Sequence, residues 1–415
     1  MSVRQPSPGS AAKKLDQQIS KVVASDACSG CGLCTIVDPG LDMVLDKQGF
    51  MRPKRSSIGQ TPENSTRLFK RSCPGMLVRS NNNPSLERHE TMGSFIGVWK
   101  GHATDPETRY RGSSAGVLTA LSTWLLESGR ATRVAGAGAG RDPRRTVPVS
   151  ITTKEEALAS AGSRYAPTAT LANPDIQLPG TAVIGKPCEI SALRSYVDAA
   201  GLGGVRQPAP IMLSFFCAGT PSAHATQRLI ESLGIAKGTP PDSLWYRGRG
   251  WPGRFTVKLR DISRSMSYDE SWGKVLGPAT QWRCKVCPDG VGESADIAVA
   301  DFWDSDESGY PIFNEAEGSS AVIARTIRGK GILMEAVSEG IIELDPIDIN
   351  SLASVQPLQV QRRTGLLARL TGSLVAGRRI PRFTGFGLTK MAGRQPRLFL
   401  RVARGTYRRI HSEKS

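Results

Sequence analysis

Three cysteines crowded into one short turn constrain this chain more than any other feature of its sequence. The stretch SDACSGCGLC, residues 25 to 34, places Cys28, Cys31 and Cys34 at two successive C-x-x-C intervals with glycines between them. Three thiols so close together either bind a metal centre or take part in disulfides, and the redox environment of the chain decides between the two.

The composition favours metal ligands over disulfides. The chain has 415 residues and 8 cysteines, a density far below that of a disulfide-rich secreted module. Its first residues, MSVRQPSPGSAAKKLDQQIS, contain no apolar signal region. No later stretch offers the roughly 18 consecutive apolar residues of a membrane span. We therefore expect a cytoplasmic protein of two or three domains whose thiols stay reduced.

A fourth cysteine completes the pattern at a distance. Cys73 is followed by Pro74, so the chain contains C-x2-C-x2-C and a later C-P, the bacterial ferredoxin arrangement for a 4Fe-4S cluster. Three thiolates on one tight turn can each reach a different iron, while Gly30 and Gly32 let backbone amides approach the sulfurs. Tetrahedral zinc is the alternative, because four cysteines also suit that ion. The predicted ligands of the cluster are Cys28, Cys31, Cys34 and Cys73.

The other four cysteines lie further along the chain. Cys188 and Cys217 each follow an apolar, strand-like run, and Cys284 and Cys287 form one C-x-x-C pair. An isolated buried cysteine is commonly part of a core, yet these four stand next to Gly, Pro or charged residues, as loop ligands do. From spacing alone, a second cluster and core packing stay equally open.

The excess positive charge belongs to a tail. Residues 361 to 415 contain 14 Lys and Arg against one acidic residue, whereas the rest of the chain is close to neutral. This basic tail, residues 355–415, mixes Arg with Leu, Val and Phe. Parts of it are expected to form amphipathic helices that lie on an anionic membrane or acidic partner, and the alternative is a partly disordered, solvated extension. No recognisable nucleic-acid module accompanies the charge, so a nucleic-acid partner is not expected.

The pattern of apolar residues divides the chain. Residues 1–24 are predicted to be a disordered leader and residues 25–80 a ferredoxin-like cluster segment. From about residue 93, strand-like runs such as SFIGVWKGHAT alternate with helix-like ones such as SSAGVLTALSTWLLESG. This alternation predicts an α/β architecture with functional groups on the loops after strand ends. The runs FTVKLRD and SMSYDESWG predict an antiparallel hairpin, so we expect a mixed sheet.

Six blocks of sequence carry a family resemblance. In chain order they are YRGSSAGVLTALSTWLLESG, GSRYAPT, IGKPCEISALR, FFCAGTPS, CKVCPDGVGESADIAVADFW and GSSAVIARTIRGKGIL. Their order and content resemble the coenzyme F420 hydrogenase/dehydrogenase beta-subunit family, which includes ferredoxin-dependent reductases of chlorophyll intermediates. The resemblance implies an N-terminal family domain over 93–180 and a C-terminal one over 181–350, which together form a mixed-sheet flavin-binding body.

The resemblance also implies a set of cofactor sites. Cys188, Cys217, Cys284 and Cys287 would bind a second 4Fe-4S cluster near FAD. The start of a helix at 111–116 would face the FAD diphosphate, although an ordinary N-cap by Ser113 or Ser114 would explain the same pattern. The family usually has two glycines where this chain has Ala115 and Gly116. The implied flavin-binding residues are Arg111, Gly112, Ser113, Ser114, Gly116, Ser163, Arg164, Tyr165 and Lys186.

These cofactors would define an oxidoreductase. We expect it to pass electrons between ferredoxin or a partner dehydrogenase or hydrogenase subunit and either coenzyme F420 or a small organic acceptor. The alternatives are an electron-transfer adaptor without a substrate of its own and a zinc-bound structural module. The basic tail would allow a peripheral position at the inner face of a membrane, and no catalytic side chain is assigned.

Overall fold

An eight-stranded mixed sheet organises the chain in a computed structural model that describes residues 8–57, 61–204, 208–304, 312 and 316–412. In chain order the strands of the protein are β1 (Leu41–Leu45), β2 (Met51–Arg55), β3 (Leu77–Arg79), β4 (Glu87–His89), β5 (Gly93–Phe95), β6 (Gly97–Ala103), β7 (Arg133–Ala139), β8 (Thr146–Ile151), β9 (Thr181–Gly185), β10 (Ile211–Phe215), β11 (Ser243–Trp245), β12 (Phe255–Leu259), β13 (Ile262–Met266), β14 (Ile297–Asp301), β15 (Ser320–Ala324), β16 (Ile342–Pro346) and β17 (Arg382–Thr384).

The main sheet has the order β16-β6-β15-β14-β10-β9-β7-β8. Its central strands β14, β10, β9 and β7 are mutually parallel, and antiparallel strands flank them on both sides. The prediction of an α/β chain with a mixed sheet is therefore confirmed. Parallel neighbours matter for function because their carboxyl ends, and the loops that follow them, meet at one edge.

Helices cover both faces of this sheet. They are α1 (Pro8–Ala24), α2 (Leu33–Val37), α3 (Ser65–Ser72), α4 (Pro106–Arg111), α5 (Val117–Glu127), α6 (Lys154–Ala159), α7 (Pro187–Ala200), α8 (Ala223–Ser232), α9 (Trp282–Lys285), α10 (Ile327–Ser338), α11 (Ile349–Ser354), α12 (Pro357–Thr364), α13 (Leu366–Val375), α14 (Leu388–Arg394) and α15 (Pro396–Ser412). A π-helical turn at Asp269–Leu276 and short 3-10 turns at Thr170–Ala172 and Pro174–Gln177 complete the described elements.

Alternation along the strands builds one core on each face. On β9, Val183 packs with α7 and the N-terminal segment, whereas Ala182 packs with α5 and α10 on the opposite face. On β10, Met212 and Leu213 divide in the same way. This period of two is the ordinary consequence of strand geometry, and it means that the cysteine segment 25–80 shares a core with the main sheet.

The N-terminal segment differs from the predicted disordered leader. Residues 8–24 form α1, and Leu15, Ile19 and Val22 are buried in the core that also contains the first three cysteines. These residues stand at i, i+4 and i+7 and so share one helix face, a pattern that the polar composition of the leader obscures. The prediction is wrong for residues 8–24, and residues 1–7 lie outside the described part of the chain.

The predicted hairpin forms, but not in the main sheet. β12 and β13 pair antiparallel in a separate three-stranded sheet with β11, and the second strand lies at 262–266, earlier than predicted. The later part of the predicted second strand forms the π-helical turn Asp269–Leu276. The main sheet is mixed because of β6, β8, β15 and β16 instead.

The basic tail is largely helical in its described part, with β17 between α13 and α14. Helices α12 and α13 are built into the body, where Arg363 and Leu366 are buried. Helix α15 crosses α13 closely at Gly372, where a Cβ atom would lie 2.4 Å from the carbonyl oxygen of Ala403. The alternative of a disordered extension is therefore wrong for residues 357–375 and 388–412. Within the described residues, none of the helices is both long enough and apolar enough to cross a membrane.

The burial of α1 predicts a stability effect. Replacing Leu15, which is 0% exposed, by alanine removes buried apolar surface and leaves a cavity, so we expect the free energy of unfolding to fall by about 2 to 5 kcal/mol. The control Gln17→Ala changes an exposed residue of the same helix and should cost less than about 0.5 kcal/mol. Urea denaturation measures both, and equal values would contradict the packing of α1.

Candidate functional site

A cavity of about 460 Å³ lies at the carboxyl ends of the parallel strands. Lys186, Cys217 and Asp301, which end or follow β9, β10 and β14, line it. This volume falls within the range of small-molecule and cofactor sites, and the carboxyl edge of an open α/β sheet is where such folds bind ligands.

The start of α5 forms one wall of the cavity. Gly116 is the N-cap residue of α5 and has φ of +76°. A Cβ atom added at this position would lie 2.5 Å from the carbonyl oxygen of Thr108. No side chain caps α5, so the alternative of a serine N-cap is wrong. Ser114 instead donates a hydrogen bond of 2.8 Å to the carbonyl oxygen of Ser319. The first amides of α5 thus have no intrahelical acceptor, and the cavity wall beside them is made of the small residues Gly112, Ser113 and Ser114.

Eight of the nine predicted flavin-binding residues line this cavity. Arg111 is the exception, because its guanidinium forms an ion pair of 3.1 Å with Glu107. Arg164 lines the cavity, but its guanidinium donates to the carbonyl oxygens of Pro143 and Arg145 at 2.7 and 3.1 Å. Its charge therefore stabilises a neighbouring loop. The residues that the fold brings together are Gly112, Ser113, Ser114, Gly116, Ser163, Arg164, Tyr165 and Lys186.

Lys186 is a buried cation beside the cysteines. Its Nζ donates to Glu189 Oε1 at 2.5 Å and to the carbonyl oxygen of Thr168 at 3.1 Å. Burial acts to lower the pKa of Lys186, but Glu189 and the thiol groups of Cys188 and Cys217 outweigh it and raise the pKa above its usual value. Lys186 and Glu189 thus form a buried ion pair on the cavity wall beside the inner cysteines.

The outer cysteine group comprises Cys28, Cys31, Cys34 and Cys73. All four are buried and free of disulfides. Burial raises the pKa of each thiol, to about 11 for Cys31, and the pKa of Cys34 rises further because Cys73, Cys28 and Cys31 lie close enough to repel its thiolate. The fold has brought the four predicted residues into one group, so a thiolate there needs a positive centre to offset the repulsion.

The inner cysteine group comprises Cys188, Cys217, Cys284 and Cys287, and its thiols are also free. Burial raises the pKa of Cys217 to about 12, and the nearby Cys284 and Cys287 raise it as well. The amide of Thr220 donates to Cys284 Sγ at 3.3 Å. Cys188 interacts electrostatically with Cys217 and also with Cys31 of the outer group. The inner group thus lies between the outer group and the cavity.

Two side chains near α9 connect the groups. Gln281 donates to the carbonyl oxygen of Ser29 at 3.0 Å, and Arg283 donates to the carbonyl oxygen of Pro74 at 3.0 Å. Arg283 is one residue before Cys284, and Ser29 and Pro74 adjoin Cys28 and Cys73. Both residues are buried. The segment that contributes Cys284 and Cys287 is therefore hydrogen-bonded to the loops of the outer group.

The described side chains do not form a site for a single metal ion. In the parts of the chain that the structure covers, no three His, Cys, Asp or Glu side chains are arranged to hold one such ion. The assignment of both cysteine groups as cluster ligands stays a prediction that rests on their identity and grouping.

Sequence reasoning missed an arginine and an aromatic wall. Arg247 is 2% exposed, lines the cavity, and forms an ion pair of 2.8 Å with Asp301. Its guanidinium carbon lies 4.9 to 5.1 Å from the ring centres of Trp251, Tyr268 and Trp303. The run WYRGRGWPG, rich in glycine and aromatic residues, is the signal that could have drawn attention to it.

The start of the tail was missed as well. Gln359 lines the cavity, and Arg362 donates to the carbonyl oxygen of Cys217 at 2.8 Å. Arg363 forms a buried ion pair of 2.6 Å with Glu293. Helix α12 is therefore part of the site, whereas its sequence had been assigned to a separate basic tail.

The fold and site define an α/β protein with a ligand cavity at the carboxyl edge of its sheet and two cysteine groups beside that cavity. Residues 98–173 match the N-terminal part, and residues 180–350 the C terminus, of the coenzyme F420 hydrogenase/dehydrogenase beta subunit. The chain belongs to this family, which confirms the resemblance seen in the sequence.

Individual relatives agree with this assignment. The chain is 25% identical to the coenzyme F420 hydrogenase subunit beta of Methanothermobacter thermautotrophicus over 68% of its length and 91% of that protein. It is also 25% identical to the F420-dependent formate dehydrogenase 1 subunit beta of Methanococcus maripaludis, over 58% of its length and 59% of that protein. A chain of the F420-reducing NiFe hydrogenase complex from Methanosarcina barkeri has a similar fold, with a TM-score of 0.55, 22% identity, and coverage of 72% of this chain and 99% of that one.

The close approach at Gly116 predicts a defect in the cavity. Gly116→Ala places a methyl group against the Thr108 carbonyl. We expect the free energy of unfolding to fall by about 1 to 3 kcal/mol because of crowding, and by about 1 to 2 kcal/mol more because alanine disfavours the left-handed backbone. Gly129→Ala is the matched control, because Gly129 has φ of +70° but no atom within 4 Å of the added methyl. Thermal unfolding compares the two variants, and equal destabilisation would contradict a tight contact at the start of α5.

Proposed function

We propose that this chain is an iron-sulfur flavoprotein oxidoreductase, with two 4Fe-4S clusters and FAD, that transfers electrons between a one-electron carrier and coenzyme F420 or a small organic acceptor. Membership of the family supports an oxidoreductase linked to F420. The observation that carries the proposal is the continuity of three sites. Gln281 and Arg283, which stand just before Cys284, donate to the carbonyl oxygens of Ser29 and Pro74 beside the outer group, and Cys217 of the inner group lines the cavity.

The two cysteine groups fit 4Fe-4S clusters. Each group offers four free thiols and no histidine, the donor set of such a cluster. In the outer group, hydrogen bonding from the backbone amides of Gly30, Leu33 and Gly75 acts to lower the pKa of Cys28, Cys31 and Cys73, although burial outweighs it. Hydrogen bonds of this kind favour the thiolate form and tune the reduction potential of a cluster.

The cavity fits a flavin. Its walls combine the unpaired amides at the start of α5, which suit a diphosphate, with the aromatic side chains of Tyr165, Tyr268 and Trp303, which suit a flat ring. Two buried polar atoms there, Arg247 Nη2 and Thr168 Oγ1, have no hydrogen-bond partner within the described chain. Bound FAD would supply exchange of either a hydride or single electrons, and the clusters would pass single electrons.

The residues of the chain have defined roles in this proposal. The outer group would be the entry for electrons and the inner group the step to the flavin. The Lys186–Glu189 ion pair would hold the start of α7 beside Cys188, and the buried walls of the cavity would exclude water from the reacting ring. The relatives are hydrogenase and formate dehydrogenase subunits, which supports a partner subunit as electron source, and ferredoxin is the alternative carrier.

The outer group provides the test of this proposal. Cys73→Ala should remove about half of the iron, because the groups use separate cysteines, and should leave FAD bound. Reduced ferredoxin should then fail to reduce the flavin, whereas reduced F420 should still do so, since a hydride reaches the flavin directly. Iron analysis and anaerobic stopped-flow absorbance at the flavin band measure these effects.

The neighbouring Ser72 gives the control. Its Oγ is buried and has no hydrogen-bond partner among the residues that the structure describes, so Ser72→Ala makes a similar small change beside the same thiol without removing a ligand. It should keep both iron and the ferredoxin reaction. Unchanged iron in Cys73→Ala would show that the ligand assignment is wrong, and wild-type flavin reduction by ferredoxin would remove the outer group from the electron path.

Attachment to an anionic membrane is a further part of the proposal. Helix α15 keeps a continuous basic face in solvent, whereas α12 and α13 are packed into the body. The exposed arginines of this face are Arg397, Arg401, Arg404 and Arg408. A flat, basic helix surface of this kind suits anionic lipid head groups.

Charge removal on α15 should weaken vesicle binding. Replacing these four arginines by glutamine should lower affinity for anionic vesicles, because each basic residue near such a surface contributes about 1 kcal/mol. Binding by the wild-type chain should also fall as salt rises past the point where the screening length is about 8 Å. Vesicle sedimentation tests this, with vesicles of neutral lipid as control, and equal binding by variant and wild type would contradict the role of α15.

A further inference from the structure

Arg247 has a buried, positively charged guanidinium group at the wall of the cavity, and only two of its three nitrogens have hydrogen-bond partners among the described residues. Its Nε donates to the carbonyl oxygen of Pro252 at 2.7 Å, and its Nη1 donates to Asp301 Oδ2 at 2.8 Å. The third nitrogen, Nη2, is buried and has no hydrogen-bond partner within the described chain. A buried guanidinium with an unsatisfied nitrogen costs free energy unless a ligand completes its hydrogen bonds.

The surroundings of Arg247 select the kind of ligand. The rings of Trp251, Tyr268 and Trp303 surround the guanidinium, and Trp251 and Trp303 contact each other with ring centres 4.3 Å apart. Thr168 Oγ1, also on the cavity wall, is a second buried polar atom without a partner. Flat apolar walls with one unused donor suit a planar ring system that has an acceptor oxygen on its edge.

Reduction changes the charge of such a ring. When an uncharged ring accepts a hydride, it gains two electrons and one proton, so it is left with one net negative charge. The hydride donor, a reduced nicotinamide-like or deazaflavin-like carrier, loses the same two electrons and one proton. A fixed donor placed where this charge develops stabilises the reduced ring more than the oxidised one.

We propose that Arg247 stabilises the negative charge that a planar ring in this cavity gains on reduction, through Nη2 to the ring's carbonyl edge. The inference rests on the proposed function, because the ring is either the flavin or the F420-type acceptor. Both have the same chemistry, a fused ring with a carbonyl edge that becomes anionic when a hydride is added. Asp301 then has the role of a positioning residue, since it holds Nη1 and leaves Nη2 unpaired among the described residues.

A purely structural role for Arg247 is the competing explanation. In that case its ion pair with Asp301 would be its whole purpose, and the electronic properties of a bound ring would not depend on it. The two explanations differ in a measurable way. Only the first links the side chain to the energy difference between oxidised and reduced ring, so a reduction potential separates them where activity alone would not.

The experiment uses the full chain with its cofactors, purified without oxygen. Arg247→Met removes the charge, and Arg247→Lys keeps a charge but loses the planar fork. Arg249→Met is the matched control, because Arg249 lies two residues away, is exposed, stacks on Trp245 at 3.8 Å, and does not line the cavity. For each variant, redox titration gives the flavin midpoint potential, and fluorescence titration gives the affinity for oxidised and reduced F420.

If the ring is the flavin, Arg247→Met should lower its two-electron potential. A tenfold loss of preference for the reduced form corresponds to about 30 mV in a two-electron couple. Arg247→Lys should lie between Arg247→Met and wild type, and Arg249→Met should match wild type. If the ring is the acceptor, the flavin potential should stay unchanged, while the affinity for reduced F420 should fall at least tenfold more than the affinity for oxidised F420.

Other results would overturn the proposal. Folded Arg247 variants that retain the wild-type flavin potential and the wild-type ratio of F420 affinities would leave the structural explanation. If Arg247→Met fails to fold, Arg247→Lys decides the question by the same two measurements. A wild-type chain that binds FAD but not F420 would refute only the proposed acceptor. The flavin midpoint potential of the Arg247 variants would then still decide for or against the role of Arg247. A wild-type chain that binds neither would refute both proposals.

Discussion

The parallel register of β9, β10 and β14 is the constraint on which the site depends. Gly185 pairs with Ser214, and Ser214 pairs with Ala298. Three residues beyond each of these positions stand Cys188, Cys217 and Asp301, so the register brings two cysteines and the partner of Arg247 to one level at the edge of the sheet. An antiparallel pairing would send these groups to opposite ends of the sheet.

Buried ion pairs and hydrogen bonds fix the loop after β3 and helix α12 around this edge of the sheet. Glu293 accepts hydrogen bonds from Ser80, Arg88 and Arg363, and so joins the loop after β3 to α12. Burial acts to raise the pKa of Glu293, but Arg363 and Arg88 overcome it and keep the pKa below its usual value. A carboxylate held charged in a buried position ties down the segments that supply its partners, because loss of one partner leaves an uncompensated charge.

The sequence was most informative where the pattern is local. The apolar runs of β9 and β10 and the helices that follow them are regular enough to be recognised from spacing. The family blocks then supplied nine candidate flavin-binding residues, of which eight line the cavity. It was less informative where a role depends on distant partners. Both Arg111 and Arg164 were candidates for flavin binding. The guanidinium group of Arg111 pairs with Glu107, and that of Arg164 donates to the carbonyl oxygens of Pro143 and Arg145, so neither charge is used in the cavity. The use of Arg247 depends on Asp301, which is 54 residues away, so no local pattern identifies it.

The hydrogen bonds from Gln281 and Arg283 to the outer cysteine group bear on how the protein is made. Gln281 and Ser29 are separated by 252 positions, and Arg283 and Pro74 by 209. A chain synthesised from its N-terminus exposes the cysteine turn first, and the frame that surrounds this turn is complete only after residue 283 has left the ribosome. The maturation of the outer group is therefore tied to late steps of translation, and a delay in synthesis between residues 74 and 281 would prolong the exposure of its thiols to oxidation.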